Sequence, residues 1–186
     1  MSIRLYSHGG CGTEYFQHAL EDRHIAQTIG KQRDRHKRNP SGLGSKRVIY
    51  LYGDPRNTIL SFYRRQFGDG PIHCNNLGIK YDQFFPKTIQ CYICQDYDAF
   101  GLEEHFDNWT ALRDRPNTLL VQYELLENDD YLKRIEEFIG CGMRKVAFKK
   151  RNSDWKDFPQ LTTIHSSLLE KIEKINGGLS PQFPKL

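Results

Sequence analysis

The sequence predicts an α/β protein, α/β/α in three layers, with a central parallel sheet covered on both faces. Three short runs of aliphatic, β-branched and aromatic residues lie far apart in the chain, around Ile3, Leu5 and Tyr6, over residues 46–53 and over residues 117–123. Each is followed by turn residues and then by apolar spacing of helical period. The run KRVIYLYG at 46–53 has no polar alternation, as expected of a parallel strand buried on both sides. Strands alternating with helices pair in parallel through crossovers, and such sheets place ligands beyond the carboxyl ends of their strands.

The first strand runs into a glycine-dense turn, with Gly9, Gly10 and Gly12 ahead of Thr13. Glycines there permit positive φ and close approach of backbone N–H groups to a ligand. The helix that Thr13 opens buries Tyr15, Phe16, Ala19 and Leu20 and ends near Asp22. Its N-terminus, with unpaired amides and a partial positive charge, suits a phosphate. No Gly-Lys-Ser/Thr follows, so this is not an ordinary ATPase loop. Residues 24–29 are ambiguous and compatible with a short strand, and residues 31–46 read as an exposed basic loop rich in Pro, Gly and Ser.

The second strand ends at Asp54-Pro55-Arg56-Asn57, where Asp54 suits a helix cap and Pro55 the first helical position. Ile59, Leu60, Phe62, Tyr63 and Phe67 give that helix its apolar face. Residues 68–101 read as a long connection or lid, and a helix over 102–113 carries Phe106, Trp109 and Leu112. After the third strand, Asn128 or Asp129 caps a helix with Leu132, Ile135, Phe138 and Ile139 inside and Gly140 at its stop. Residues 166–175 form an amphipathic helix, and 177–186 are a tail.

With 186 residues, 38% of them apolar and 12% aromatic, the chain fits one domain over 1–186 with a real core. No stretch reaches the roughly 18 apolar residues of a membrane span, and the N-terminus lacks the layout of a signal peptide, so a cytoplasmic protein without a membrane partner is expected. Five cysteines, at 11, 74, 91, 94 and 141, do not form a secreted disulfide framework. Cys91 and Cys94, with His73 and Cys74 upstream, have some ligand character for zinc. Packed or free thiols are the preferred reading, and no metal is expected. The net charge of +4 gathers in residues 31–47 and 143–151. These segments read as solvated surface, as a nucleic-acid or membrane face, or as two walls converging on one small polyanion.

At this point the order of motifs resembles the sulfotransferases that use 3′-phosphoadenosine 5′-phosphosulfate (PAPS), over most of residues 3–158. That family has a Tyr-Pro-Lys-Ser-Gly-Thr-Thr-Trp loop, matched by His8-Gly-Gly-Cys-Gly-Thr-Glu-Tyr15. Its Arg-Asn/Asp-Pro-Arg-Asp stretch, with a serine eight residues after the first Arg, is matched by Gly53-Asp-Pro-Arg-Asn and Ser61. Tyr123-Glu-Leu-Leu is similar to its Tyr-Glu-Asp-Leu. Lys150-Arg-Asn-Ser-Asp-Trp-Lys-Asp is similar to, but shorter than, its late basic loop and lacks both glycines. Four motifs in the right order, on elements already expected from the pattern, reinforce one another.

The resemblance implies a P-loop-like sulfotransferase fold and PAPS as cosubstrate, with no nucleic-acid partner. It implies that Gly9, Gly10, Cys11, Gly12, Thr13, Glu14 and Tyr15 hold the 5′-phosphosulfate. Arg56, Ser61, Tyr123, Lys150, Arg151 and Asn152 complete the nucleotide site. His36, in the Arg35-His36-Lys37 stretch, is the expected base for the acceptor hydroxyl, with His8 as the alternative. The acceptor is open among a glycan, a small alcohol or phenol, and a protein tyrosine. Two positions depart from the pattern: the loop lysine is Gly10 and the first arginine of the 3′-phosphate motif is Gly53. Arg35, Lys37, Arg56 and Arg151 are candidates to supply the missing charge. An active sulfotransferase, a noncatalytic nucleotide- or glycan-binding relative and a nucleic-acid binder are the readings to separate, in that order of preference.

Overall fold

Among the described residues of the computed structural model, three parallel strands form the sheet, in the order β1 (Ile3–Ser7), β2 (Arg47–Tyr52), β3 (Thr118–Gln122). Residues 3–32, 34–64, 74, 77–82, 85–144 and 154–177 are described. The chain adds α1 (Thr13–Ala19) and α2 (Arg23–Gly30) before β2, and α3 (Pro55–Arg64), α4 (Ile89–Gln95) and α5 (Leu102–Thr110) before β3. It continues with α6 (Asp129–Ile139), α7 (Gln160–Ile164) and α8 (Ser166–Gly177). Short 3-10 turns lie at Tyr123–Leu125 and Trp155–Asp157.

Register puts Leu5, Ile49 and Leu119 in one row and Tyr6, Tyr50 and Leu120 in the next. Successive rows face opposite sides of the sheet, so the all-apolar β2 feeds two cores. Ile49 and Leu51 pack with Phe16 of α1, Ile29 of α2 and Ile135 of α6. Tyr50 and Tyr52 pack with Ile59 of α3, Trp109 of α5 and Leu168 of α8. Tyr50 stacks on Trp109 at 5.6 Å between ring centroids, and Trp109 in turn stacks on Tyr6 at 4.2 Å.

Two expectations are corrected. Residues 24–29 are helical, because the Asp22 carboxylate accepts from the His24 and Ile25 amides and so starts α2 instead of ending α1. The basic loop is not an open excursion. Ser7 N–H donates to the Arg35 carbonyl at 2.8 Å and Leu5 N–H to the buried Gln32 Oε1 at 3.0 Å, so Gln32 and Arg35 line the outer edge of β1. Arg38 pairs with Glu104 at 2.7 Å, and Trp109 Nε1 donates to the Lys37 carbonyl at 3.0 Å.

Within the expected connection 68–101, α4 is capped by Thr88, whose hydroxyl accepts from Cys91 N–H. Phe67, His73, most of the basic segment 143–151 and the tail from 178 onward lie outside the described residues. Among the described residues no helix is long and apolar enough to cross a membrane.

Candidate functional site

At the carboxyl end of the sheet, the three strand exits converge on the glycine turn. Gly9, Gly10 and Gly12 have φ of 83°, 65° and 82°, the left-handed region that side chains rarely adopt. Two of them are also closely covered. A Cβ at Gly10 would lie 3.1 Å from the Phe62 ring and 3.2 Å from Thr58, both on α3, and one at Gly12 would overlap the Tyr123 ring. A concave turn of this kind gathers backbone N–H groups and suits an anion. Thr58 Oγ1, beside Gly10, is buried without a hydrogen-bond partner among the described residues. These residues fit a phosphate-bearing group at the turn.

Thr13, first residue of α1, faces Ser7: their hydroxyl oxygens are 2.9 Å apart and buried. Ser7 Oγ also accepts from Gly9 N–H at 3.2 Å, fixing the start of the turn. Glu14 is exposed and Tyr15 half-buried on the first turn of α1, and Cys11 is buried, its thiol directed at the Leu51 carbonyl at 3.4 Å.

His36 reaches the same place from the loop after α2. Its Nδ1 is 3.0 Å from the Ser7 carbonyl oxygen and 3.1 Å from Ser7 Oγ. The carbonyl requires a donor, so Nδ1 carries the proton and the basic lone pair belongs to Nε2. His8 Nδ1 is 2.9 Å from the Gly9 carbonyl oxygen, which holds that ring inside the turn. The fold therefore brings both expected histidines to one end of β1.

The other side of the site is bound differently from expectation. The Arg56 guanidinium forks onto Asp54, with Nη2 at 2.7 Å from Oδ2 and Nε at 3.0 Å from Oδ1, and lies 3.6 Å over the Trp155 ring. Arg56 thus ties the end of β2 to Trp155, in the described part of the late basic motif. Ser61 sits half-buried on α3, one turn past Thr58. At Gly53 a Cβ would lie 3.0 Å from Glu124 Oε1 and 3.4 Å from the Cys11 Cβ, and the same carboxylate oxygen accepts from Asp54 N–H. A carboxylate therefore borders the position where the motif has an arginine. Of the other cations, Lys37 stands 5.1 Å over the Tyr6 ring and donates to the Ser41 carbonyl. Lys150, Arg151 and Asn152 lie outside the described residues; the last described residue before them, Arg144, donates its N–H to the Ala19 carbonyl.

Sequence reasoning missed Ser7, Gln32, Glu124 and His105. His105, on α5, is fully buried with Nδ1 3.1 Å from the Tyr50 hydroxyl, and its ring meets that of His8 edge-on at 6.1 Å. Burial drives its pKa well below the usual histidine value, and nearby His8 and His36 push the same way, against the opposing effect of the His36 backbone. Only the position of His105 next to Phe106 on an apolar helix face signalled burial. Its partners come from β2 and the glycine turn, far away in sequence.

Comparison with known proteins fits this geometry. A family model described as Sulfotransferase domain matches residues 40–177, well over half of the chain, from just beyond His36 through β2, β3 and α8. Among curated proteins, the chain is similar to Sulfotransferase 2A6 of Mus musculus, 25% identical over 136 residues, which is 70% of this chain and 45% of that protein. The chain thus spans less than half the length of this relative in the matched region. The α/β fold with its parallel sheet is consistent with that match, and the chain belongs to the sulfotransferase domain family.

Proposed function

We propose that the chain transfers a sulfuryl group from PAPS to a hydroxyl acceptor, as one domain over residues 1–186 on a three-layer, P-loop-like frame. The observation that carries this reading is His36, held by its Nδ1 at 3.0 Å from the Ser7 carbonyl at the rim of a left-handed glycine turn. The nucleotide would supply the sulfuryl group joined to a phosphate leaving group. Residues 9–15 would hold its 5′ end through backbone amides and the N-terminus of α1. Ser61, with Arg56, Tyr123, Lys150, Arg151 and Asn152, would hold the rest. His36 Nε2 takes the proton of the acceptor hydroxyl, and Ser7 fixes the ring in the tautomer that leaves that atom basic. Buried, neutral His105 adds no positive charge beside it.

The acceptor class stays with the hydroxyl compounds named above. The first basic segment favours a small anion over a nucleic-acid backbone, since Lys37 and Arg38 are engaged within the fold by Tyr6, Ser41 and Glu104.

Calorimetry with adenosine 3′,5′-bisphosphate against AMP tests the nucleotide reading. The bisphosphate is expected to bind more tightly, and equal affinities would remove any role for a 3′-phosphate site. His36→Ala is expected to leave bisphosphate affinity nearly intact while slowing transfer from PAPS by about 10² to 10⁴, the contribution of a positioned general base. Transfer that survives His36→Ala assigns the proton to His8 or to another group.

A noncatalytic nucleotide-binding relative is the second reading. It is favoured by Glu124 beside Gly53 and by the capture of Arg56 by Asp54, which leave carboxylates where the motif has free cations. Tight bisphosphate binding without transfer to any of a broad hydroxyl panel would select it.

A further inference from the structure

We propose that Cys91 and Cys94 are a dithiol modification site, closing to an intrahelical disulfide by exchange with a low-molecular-weight disulfide such as oxidised glutathione. Both are free, exposed thiols on α4, three residues apart and therefore on one face of the helix. Neither is needed by the site at the glycine turn. Between them, pointing inward, is Tyr92, fully buried, with its hydroxyl 2.9 Å from His165 Nε2 and its ring 5.8 Å from Phe100 and 6.0 Å from Tyr63. The outward face of α4 thus carries two accessible nucleophiles, and the inward face a core anchor.

The exchange balances without any further reactant. One cysteine thiolate attacks a sulfur of the small disulfide, releasing one small thiol and leaving a mixed disulfide on the protein. The second thiolate attacks the protein sulfur of that mixed disulfide, forming the Cys91–Cys94 bond and releasing the second small thiol. The two protein thiols are oxidised by two electrons, the small disulfide is reduced, and the two protons end on the released thiols.

Geometry gives the closure a structural consequence. Residues three apart on a helix hold their Cβ atoms about 5–6 Å apart, whereas a disulfide requires about 3.5–4.5 Å. Closing the bond therefore tightens the turn toward 3-10 geometry, in which positions i and i+3 eclipse. A seven-residue helix has little of its own stability with which to resist. The tightening turns Tyr92 away from His165, so oxidation is expected to loosen α4 from α7.

The test uses the full, reduced chain in glutathione redox buffers, read by intact mass, peptide mapping and hydrogen exchange. The wild type is expected to lose two hydrogen atoms with no retained adduct, with the bond mapping to the peptide that carries both cysteines. Cys91→Ser and Cys94→Ser should each retain one glutathione, because the mixed disulfide has no neighbour to resolve it. Exchange in residues 92–95 should speed up by about tenfold or more on oxidation and recover with a dithiol reductant. A wild type that keeps stable glutathione adducts, or a bridge that maps to Cys11, Cys74 or Cys141, overturns the proposal. A Cys91–Cys94 bond formed with unchanged exchange overturns its coupling to Tyr92.

Discussion

Gly12 is doubly constrained: its φ of 82° excludes most side chains, and the Tyr123 ring occupies the direction a Cβ would take. Gly12→Ala is therefore expected to cost about 2–6 kcal/mol, left-handed strain and overpacking together. Urea unfolding, read as a lower midpoint at unchanged m, measures it. In a Tyr123→Ala background, itself destabilised by the lost core ring, Gly12→Ala should cost less than in the wild type, because the overlap is gone and only the strain remains. Much of the site was legible at this scale. A glycine turn before a helix, and a histidine in a basic loop ahead of the second strand, are local patterns. Glu124 beside Gly53 was not, because that contact depends on the register that sets Tyr52 against Gln122 and brings two strand exits together.

Elements were legible where one local signal dominated. The β2 run reads as a buried strand from residues alone, and α6 shows both its cap and its stop, with Asn128 accepting from the Asp130 and Tyr131 amides and the helix ending at Gly140. Asn128→Ala should lower stability by about 1 kcal/mol in the same unfolding assay, and Asn128→Asp should be close to neutral. The missed helix α2 had its signal assigned to the wrong neighbour, since Asp22 serves equally well in sequence as an ending or a beginning. Helices α4 and α7 are too short for periodicity to show, and each is anchored through one buried residue, Tyr92 and Leu161 respectively. The 31–46 loop was read as exposed from composition. Its polar groups find partners on β1 and α5 that no local pattern could reveal.

For the molecule as a whole, His105 and His165 add an acid-sensitive contribution to stability. His105 and His165 both have pKa values lowered by burial, with Asp98 opposing the shift at His165. Each is neutral when folded at a pH where the unfolded chain, near 6.5, takes up a proton. Their contribution is therefore fully present above about pH 6.5, and stability falls as the pH drops from there toward the folded-state values, by up to about 1.4 kcal/mol per pH unit for each histidine. Urea midpoints between pH 8 and pH 5 check this, and His165→Asn should flatten the slope. A flat profile in the wild type would show that both rings take up protons in the fold as readily as in the unfolded chain. The Gln32 and Arg35 bonds along β1 bear on a different property, the tendency of copies to stick together. Bare strand edges recruit other chains into shared sheets, and here the Leu5 and Ser7 amides are already taken. Gln32 and Arg35 thus act as a selvage, so loosening them from β1 would bring aggregation along with any new room beside His36.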